Sequence, residues 1–247
     1  MAKLDLYNNP ELYDSIHSSY KWDKNLLSTI AKEIGGPVLE LGSGTGRLAE
    51  VIINLGLDYE GIDINEKLTS VAMKRFGEKA NFHIGDMQNF NLKKEFKFIF
   101  VGFNSFLHNL TDQSAIKCLK CISRHLSKNG VFLLSIFIPN PSFLVRKKDT
   151  LYPATNYFMY RKSKCRIIEK NLFNYETEIN KLWWYLEIEG VLQKKAYSFQ
   201  QKMYYPHKMD LLFAESGFKI KKKLGDYDGS PMDNQSGMQI YICKKYN

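Results

Sequence analysis

The sequence predicts an α/β fold: a doubly wound, mostly parallel sheet with helices on both faces and a small antiparallel β insertion after the fifth strand. Three observations point to it. From residue 24 to residue 137, short apolar runs alternate with helix-length amphipathic segments, and strands separated by helical crossovers pair in parallel. A glycine-rich turn, Gly42-Ser43-Gly44-Thr45-Gly46, directly follows the first of those runs. Beyond Pro139 the helical spacing stops, and β-branched and aromatic residues crowd three consecutive stretches.

The elements justify themselves in order. Residues 11–17 and 24–34 carry apolar side chains at helical spacing (Leu12, Ile16; Leu26, Leu27, Ile30, Ile34), and Gly35-Gly36-Pro37 ends the pattern. Residues 38–41 read as a short buried strand, and 48–55 resume a helical pattern up to Gly56. Strands follow at 59–64, 81–84, 96–103 and 130–137, with helices at 66–76 and 113–126. Residues 164–175, 178–188 and 191–205 have no helix-length spacer between them and predict the antiparallel insertion. A helix at 209–216, closed by Gly217, and strands at 218–224 and 238–243 finish the chain. The expected segments are therefore 1–138, 139–205 and 206–247, the last completing the main sheet.

Composition bounds the class. At 247 residues, 44% hydrophobic and 25% charged, the chain buries a full core and is not a disordered polymer. No stretch reaches the roughly 20 apolar residues a membrane span needs, and the first ten residues lack an apolar run of signal-peptide length. Cys118, Cys121, Cys165 and Cys243 show no disulfide-framework spacing. A cytoplasmic protein with reduced thiols is expected, with no membrane partner and no metal. The C-x-x-C pair Cys118 and Cys121 lies within a helical pattern and has no second ligand pair, so it reads as helix packing. A formal charge of +9 raises nucleic acid, anionic lipid or an acidic substrate as partners without choosing among them. Runs such as Lys221-Lys222-Lys223 read as solvated faces.

In an open α/β sheet a ligand lies outside the carboxyl ends of the strands. The glycine loop follows the first strand, where missing side chains let the backbone turn sharply and approach a ligand, with a helix behind it. Asp63 ends the second strand, close to the distance at which an acid accepts hydrogen bonds from a ribose diol. It also fits the N-cap of the helix near Glu66, and the two roles are compatible. Asp86 stands just past the third strand, where a carboxylate needs a partner. Nicotinamide and flavin enzymes favour G-x-G-x-x-G, whereas this loop reads E-L-G-S-G-T-G with Arg47 next. A nucleotide-cofactor oxidoreductase on the same topology stays as an alternative, as does a non-catalytic binding module.

Glu40 to Gly46, Asp63 and Gly85-Asp86-Met87 resemble the cofactor motifs of class I S-adenosylmethionine-dependent methyltransferases. The resemblance implies a Rossmann-like fold, S-adenosyl-L-methionine as methyl donor and S-adenosyl-L-homocysteine as product. It places Glu40 at the head of the motif and Ser43 and Gly46 in its loop, with Gly42 and Gly44 under the methionine part. Asp63 falls on the ribose hydroxyls, Ile64 and Met87 on either side of adenine, and Asp86 on the exocyclic amine. Ile64 and Met87 also fit ordinary core. Phe103 opens the segment where the family places residues facing the transferable methyl. Tyr13 and Tyr20 resemble the family's lid tyrosines at the methionine end, with packing of the first helix as the alternative.

Residues 103–110 lack the N-P-P-Y-like tetrad of enzymes that methylate nucleobase amines, so a nucleic-acid methyltransferase becomes an alternative rather than the first reading. The flanks, residues 12–22 and 225–231, resemble a bacterial small-molecule branch that includes sugar N,N-dimethyltransferases. A small-molecule amine is the expected acceptor, and a homodimer stays open. A cationic amine has no lone pair and must lose a proton before transfer. His108, with an ordinary pKa of about 6.5, is nominated as base or substrate anchor, Tyr13 as a second catalytic candidate. Capping or packing against the next helix is the alternative for His108.

Overall fold

A computed structural model describes residues 6–246; residues 1–5 of the first expected segment, and 247, lie outside the described residues. The first half runs α1 (Pro10–His17), α2 (Trp22–Ile34), β1 (Val38–Leu41), α3 (Ala49–Ile53), β2 (Tyr59–Asp63), α4 (Glu66–Phe76), β3 (Asn81–Ile84), β4 (Phe96–Val101), α5 (Asp112–His125) and β5 (Leu126–Phe137). It continues with α6 (Pro141–Leu144), β6 (Tyr152–Pro153), β7 (Phe158–Tyr160), β8 (Ser163–Asn174), β9 (Ile179–Ile188) and β10 (Val191–Lys202). The chain ends with α7 (Pro206–Glu215), β11 (Phe218–Leu224) and β12 (Met238–Lys245).

Two compact units result, and they divide the chain differently from the expected 1–138, 139–205 and 206–247. One joins Met1–Lys21 to Pro139–Met203; the other joins Trp22–Ile138 to Tyr204–Asn247. The physical reason is apolar. Leu6, Leu12 and Ile16 cluster with Phe158, Tyr160, Cys165, Ile167 and Leu186, so the first helix completes the insertion's core. Polar contacts repeat the choice: Asn9 caps α1 by accepting from Leu12 N (3.2 Å) and donates to Tyr160 Oη (3.3 Å). Within this unit β10, β9, β8 and β6 form an antiparallel sheet, with β7 also on β8. The antiparallel insertion is thus as expected.

The larger unit holds a seven-stranded sheet in the order β11-β12-β5-β4-β1-β2-β3. Strands β1 to β5 are parallel, and β12 and β11 add antiparallel pairs. Alternate side chains of β4 serve opposite faces: Ile99 and Val101 pack with Cys118, Leu119 and Ile122 of α5 and Phe213 of α7. Phe98 and Phe100 pack with Leu27, Ile30 and Ala31 of α2 and Ala49 and Ile52 of α3. The cysteine pair of α5 faces this core, and burial pushes the Cys118 thiol up. β5 starts at Leu126, four residues before Gly130, because Leu126 is itself buried and in register with Phe96. Strand order reverses between β1 and β4, which opens a crevice at their carboxyl ends.

Candidate functional site

The glycine loop leaves β1 at that crevice. Gly42 has φ +72°, and a Cβ there would lie 2.7 Å from the Cβ of Ser105, so only glycine lets the two loops meet. Gly46 has φ +82°, and a Cβ would lie 2.5 Å from the Phe76 ring. The amides of its three glycines and of Ser43 are already engaged. Gly42 N and Ser43 N donate to Ile62 O (2.8 and 3.0 Å), and Gly46 N donates to Ser43 O (2.9 Å). Gly44 N donates to Asp63 Oδ2 (2.8 Å).

Asp63 therefore ties β2 to the loop, and its Oδ1 accepts from Asn65 N (2.8 Å). The cap of α4 is Asn65, whose Oδ1 accepts from Leu68 N (3.0 Å), so Asp63 is not the cap. Burial raises the Asp63 carboxyl above the usual range, against the two backbone N–H groups that hold it down. Each Asp63 oxygen, with one N–H bond, retains capacity for a further donor. Beneath the loop, Glu40 is 4% exposed and accepts from Tyr59 Oη (2.5 Å). Burial pushes Glu40 up to about 8, opposed by the Tyr59 bond and the Arg47 charge, so it holds a proton at neutral pH. Ser43 Oγ is buried with no hydrogen-bond partner among the described residues.

The turns after β2, β3 and β4 complete the crevice. Ile64 is 71% exposed beside Asp63, which removes its reading as core. Asp86 Oδ1 accepts from Gln88 N (2.9 Å), and Met87 is half-buried with Asn109 Nδ2 3.5 Å from its sulfur. Phe103 and Asn104 both adopt left-handed backbone, φ +51° and +65°. Asn104 is held by donating its N–H to Ser135 O (3.3 Å) and accepting from Phe137 N at Oδ1 (2.9 Å). A single 3-10 turn, Ser105–His108, then presents His108 exposed. Thr111 forms the capping box of α5 with Ser114, so His108 does not cap it.

Tyr13 and Tyr20 belong to the other unit, where Tyr13 lies 4.3 Å from the His17 ring and His17 lies 6.0 Å from Tyr20. Several contacts around the crevice escaped the sequence reading. Arg47 forks onto Asp23 of α2 (2.9 and 2.5 Å), with its guanidinium 4.6 Å over the Phe103 ring. Tyr227, from the β11–β12 loop, pairs with Ser135 Oγ (3.1 Å), and burial pushes its phenol up to about 12. Tyr204 Oη reaches Asn109 O (2.6 Å), and Gln239 Nε2 donates to Tyr204 O (2.6 Å). An arginine directly after a glycine loop is the one signal in sequence that could have flagged this set.

Residues 38–130 match the model of a methyltransferase domain. Over those residues, fewer than half of its length, the chain carries the pattern of a methyltransferase domain. An uncharacterized methyltransferase of Geobacillus sp. (strain WCH70) is 30% identical over 118 residues, 48% of this chain and 54% of the relative. The chain thus spans about half the length of that curated relative. The CcbJ methyltransferase of Streptomyces caelestis superposes with TM-score 0.83 at 18% identity, over 98% of this chain and 99% of that one. SAM-bound CalS10, an amino pentose methyltransferase from Micromonospora echinaspora, superposes with TM-score 0.72 at 16% identity over the whole of both chains. The methyltransferase domain supplies every strand end of the crevice from β1 to β4. Its polar groups fit an uncharged ribose and a cationic sulfonium: carboxylate acceptors at Asp63 and Asp86, and the amides of Gly42, Ser43, Gly44 and Gly46 bonded within the fold rather than to an anion.

Proposed function

We propose that the protein transfers the methyl group of S-adenosyl-L-methionine to an amine of a small-molecule acceptor and releases S-adenosyl-L-homocysteine. The observation that carries this reading is the state of the loop amides. A pyrophosphate-binding loop aims backbone N–H groups at the ligand, whereas here those of Gly42, Ser43, Gly44 and Gly46 are bonded to Ile62, Asp63 and Ser43. That disfavours a dinucleotide and leaves Asp63 as the group facing the ligand.

In this proposal Asp63 accepts from the ribose hydroxyls, Ile64 and Met87 flank adenine, and Asp86 accepts from its amine. Gly42 and Gly44 lie under the methionine part, with Glu40, Ser43, Gly46 and Phe103 shaping its surroundings; Tyr13 and Tyr20 enter on the family resemblance alone. The bound donor supplies an activated methyl on sulfur. What remains for the chain is alignment of the acceptor nitrogen, exclusion of water and removal of one proton. His108, exposed on its turn, takes that proton or anchors the acceptor. An amine acceptor is supported by the likeness to the amino pentose methyltransferase. No helix among the described residues is long and apolar enough to cross a membrane.

The test is calorimetric titration with S-adenosylmethionine, S-adenosylhomocysteine and NADH. Binding of the first two, lost in Asp63→Ala, is expected, followed by methyl transfer from labelled donor to a panel of amines. His108→Ala is expected to bind S-adenosylhomocysteine as the native protein does and to slow transfer about a hundredfold or more. Binding of NADH alone would refute the reading.

A further inference from the structure

Two successive non-glycine residues in left-handed backbone, Phe103 and Asn104, sit at the carboxyl end of the central strand β4. Such strain persists only where the surroundings over-determine it. Asn104 tolerates the conformation and has its own ties to Ser135 and Phe137. The Phe103 side chain is a hydrocarbon ring and carries no polar atom. Its ring is covered by the Arg47 guanidinium at 4.6 Å. Arg47 in turn is fixed by two parallel hydrogen bonds to Asp23, a residue of α2 that is 6% exposed.

We propose that Arg47 is a positioning residue: anchored on Asp23, it stacks on Phe103 and locks the strained β4 turn against the glycine loop, thereby aiming the segment that carries His108. Arg47 follows Gly46 directly, so the loop meets the β4 turn at two points, Gly42 against Ser105 and Arg47 against Phe103. A two-point contact fixes both distance and rotation of the turn. The 3-10 turn Ser105–His108 starts inside that clamp. A guanidinium suits the task because its flat face covers a ring while its edge forks onto a carboxylate. An ammonium keeps the charge but offers no flat face. The inference concerns how the proposed methyl-transfer site is held, and so rests on that reading for its functional meaning, but the lock itself is testable without any ligand.

The experiment is amide hydrogen exchange of the unliganded full-length protein, read at residues 103–108, in Arg47→Gln, Arg47→Lys, Phe103→Leu and the double variant Arg47→Gln/Phe103→Leu. Exchange about tenfold faster than in the native protein is expected in Arg47→Gln and in Phe103→Leu, and no faster in the double variant than in either single one. Arg47→Lys is expected to resemble Arg47→Gln; a lysine that restores native protection would overturn the stacking. Unchanged exchange at 103–108 in Arg47→Gln, or single effects that multiply in the double variant, would overturn the lock. Calorimetry with S-adenosylhomocysteine separates the two claims. A native protein that fails to bind it sinks the functional reading while the exchange result still decides the lock. Binding to the native protein together with exchange unaltered by Arg47→Gln sinks the lock alone.

Discussion

The buried Glu40 carboxyl makes a quantitative demand on stability. Its pKa in the fold is pushed from 4.5 to about 8, burial being the largest cause. Below pH 4.5 it is neutral both folded and unfolded. Between 4.5 and about 8 the unfolded chain has released the proton and the folded chain keeps it, so the native state binds more protons and stability falls as pH rises. Each pH unit in that window costs about 1.4 kcal/mol, about 5 kcal/mol in all. Above about 8 the folded carboxyl ionises and the slope ends. Glu40→Gln never ionises and keeps an acceptor for Tyr59 Oη. Urea unfolding of both proteins at pH 5, 6, 7 and 8 isolates the residue, because all other titrations are shared. The variant is expected to gain on the native protein steadily towards pH 8. Parallel stability curves would refute the assignment of a protonated Glu40 beneath the loop.

Two further substitutions test the crevice's framework. Gly46→Ala forces a side chain onto left-handed backbone and into the Phe76 ring at 2.5 Å; a loss of about 2–4 kcal/mol is expected by denaturant unfolding. Tyr204→Phe leaves the buried Asn109 carbonyl without the hydroxyl 2.6 Å away, and a loss of about 1–3 kcal/mol is expected in the same assay.

What the sequence made legible were features with a local signature. Buried parallel strands are continuous apolar runs, as at Val38–Leu41 and Phe96–Val101, and crossover helices supply the intervening amphipathic period. The glycine loop and Asp63 followed because both stand at strand ends. Features made by long-range contacts were hidden. The placement of α1 depends on Tyr160 and Arg161, some 150 residues away, through Asn9 and through Glu11, which accepts from Arg161 at 2.9 and 3.0 Å. Arg47 was visible only as the residue that spoils a G-x-G-x-x-G spacing; its meaning needs Asp23 and Phe103, which no periodicity brings together. Asp63 and Asn65 both fit a cap by residue type, and geometry separates them: Asn65 accepts from Leu68 N while Asp63 reaches back to Gly44.

The positive charge raised nucleic acid as a partner, yet part of it has a different physical use. β11 is an edge of the seven-stranded sheet; its end is bridged, with Leu224 against Pro231 and Lys223 O accepting from Met232 N (3.1 Å), while the outer row of backbone N–H and C=O groups before that faces no strand among the described residues. Such a row templates pairing with a second copy unless charge or irregularity blunts it. Lys219, Lys221 and Lys222 are all exposed on this strand, and the register against β12 shifts between Ile220 and Lys222, leaving Lys221 as the extra residue of a bulge. Lys223 is engaged with Asp210 at 2.6 Å and so stands apart from the exposed three. Replacing Lys219, Lys221 and Lys222 together by threonine keeps strand propensity and removes three charges. Concentration-dependent association is then expected by light scattering, with S-adenosylhomocysteine affinity unchanged. A variant that stays as monodisperse as the native protein would show that the bulge alone guards the edge and that the lysines serve a partner instead.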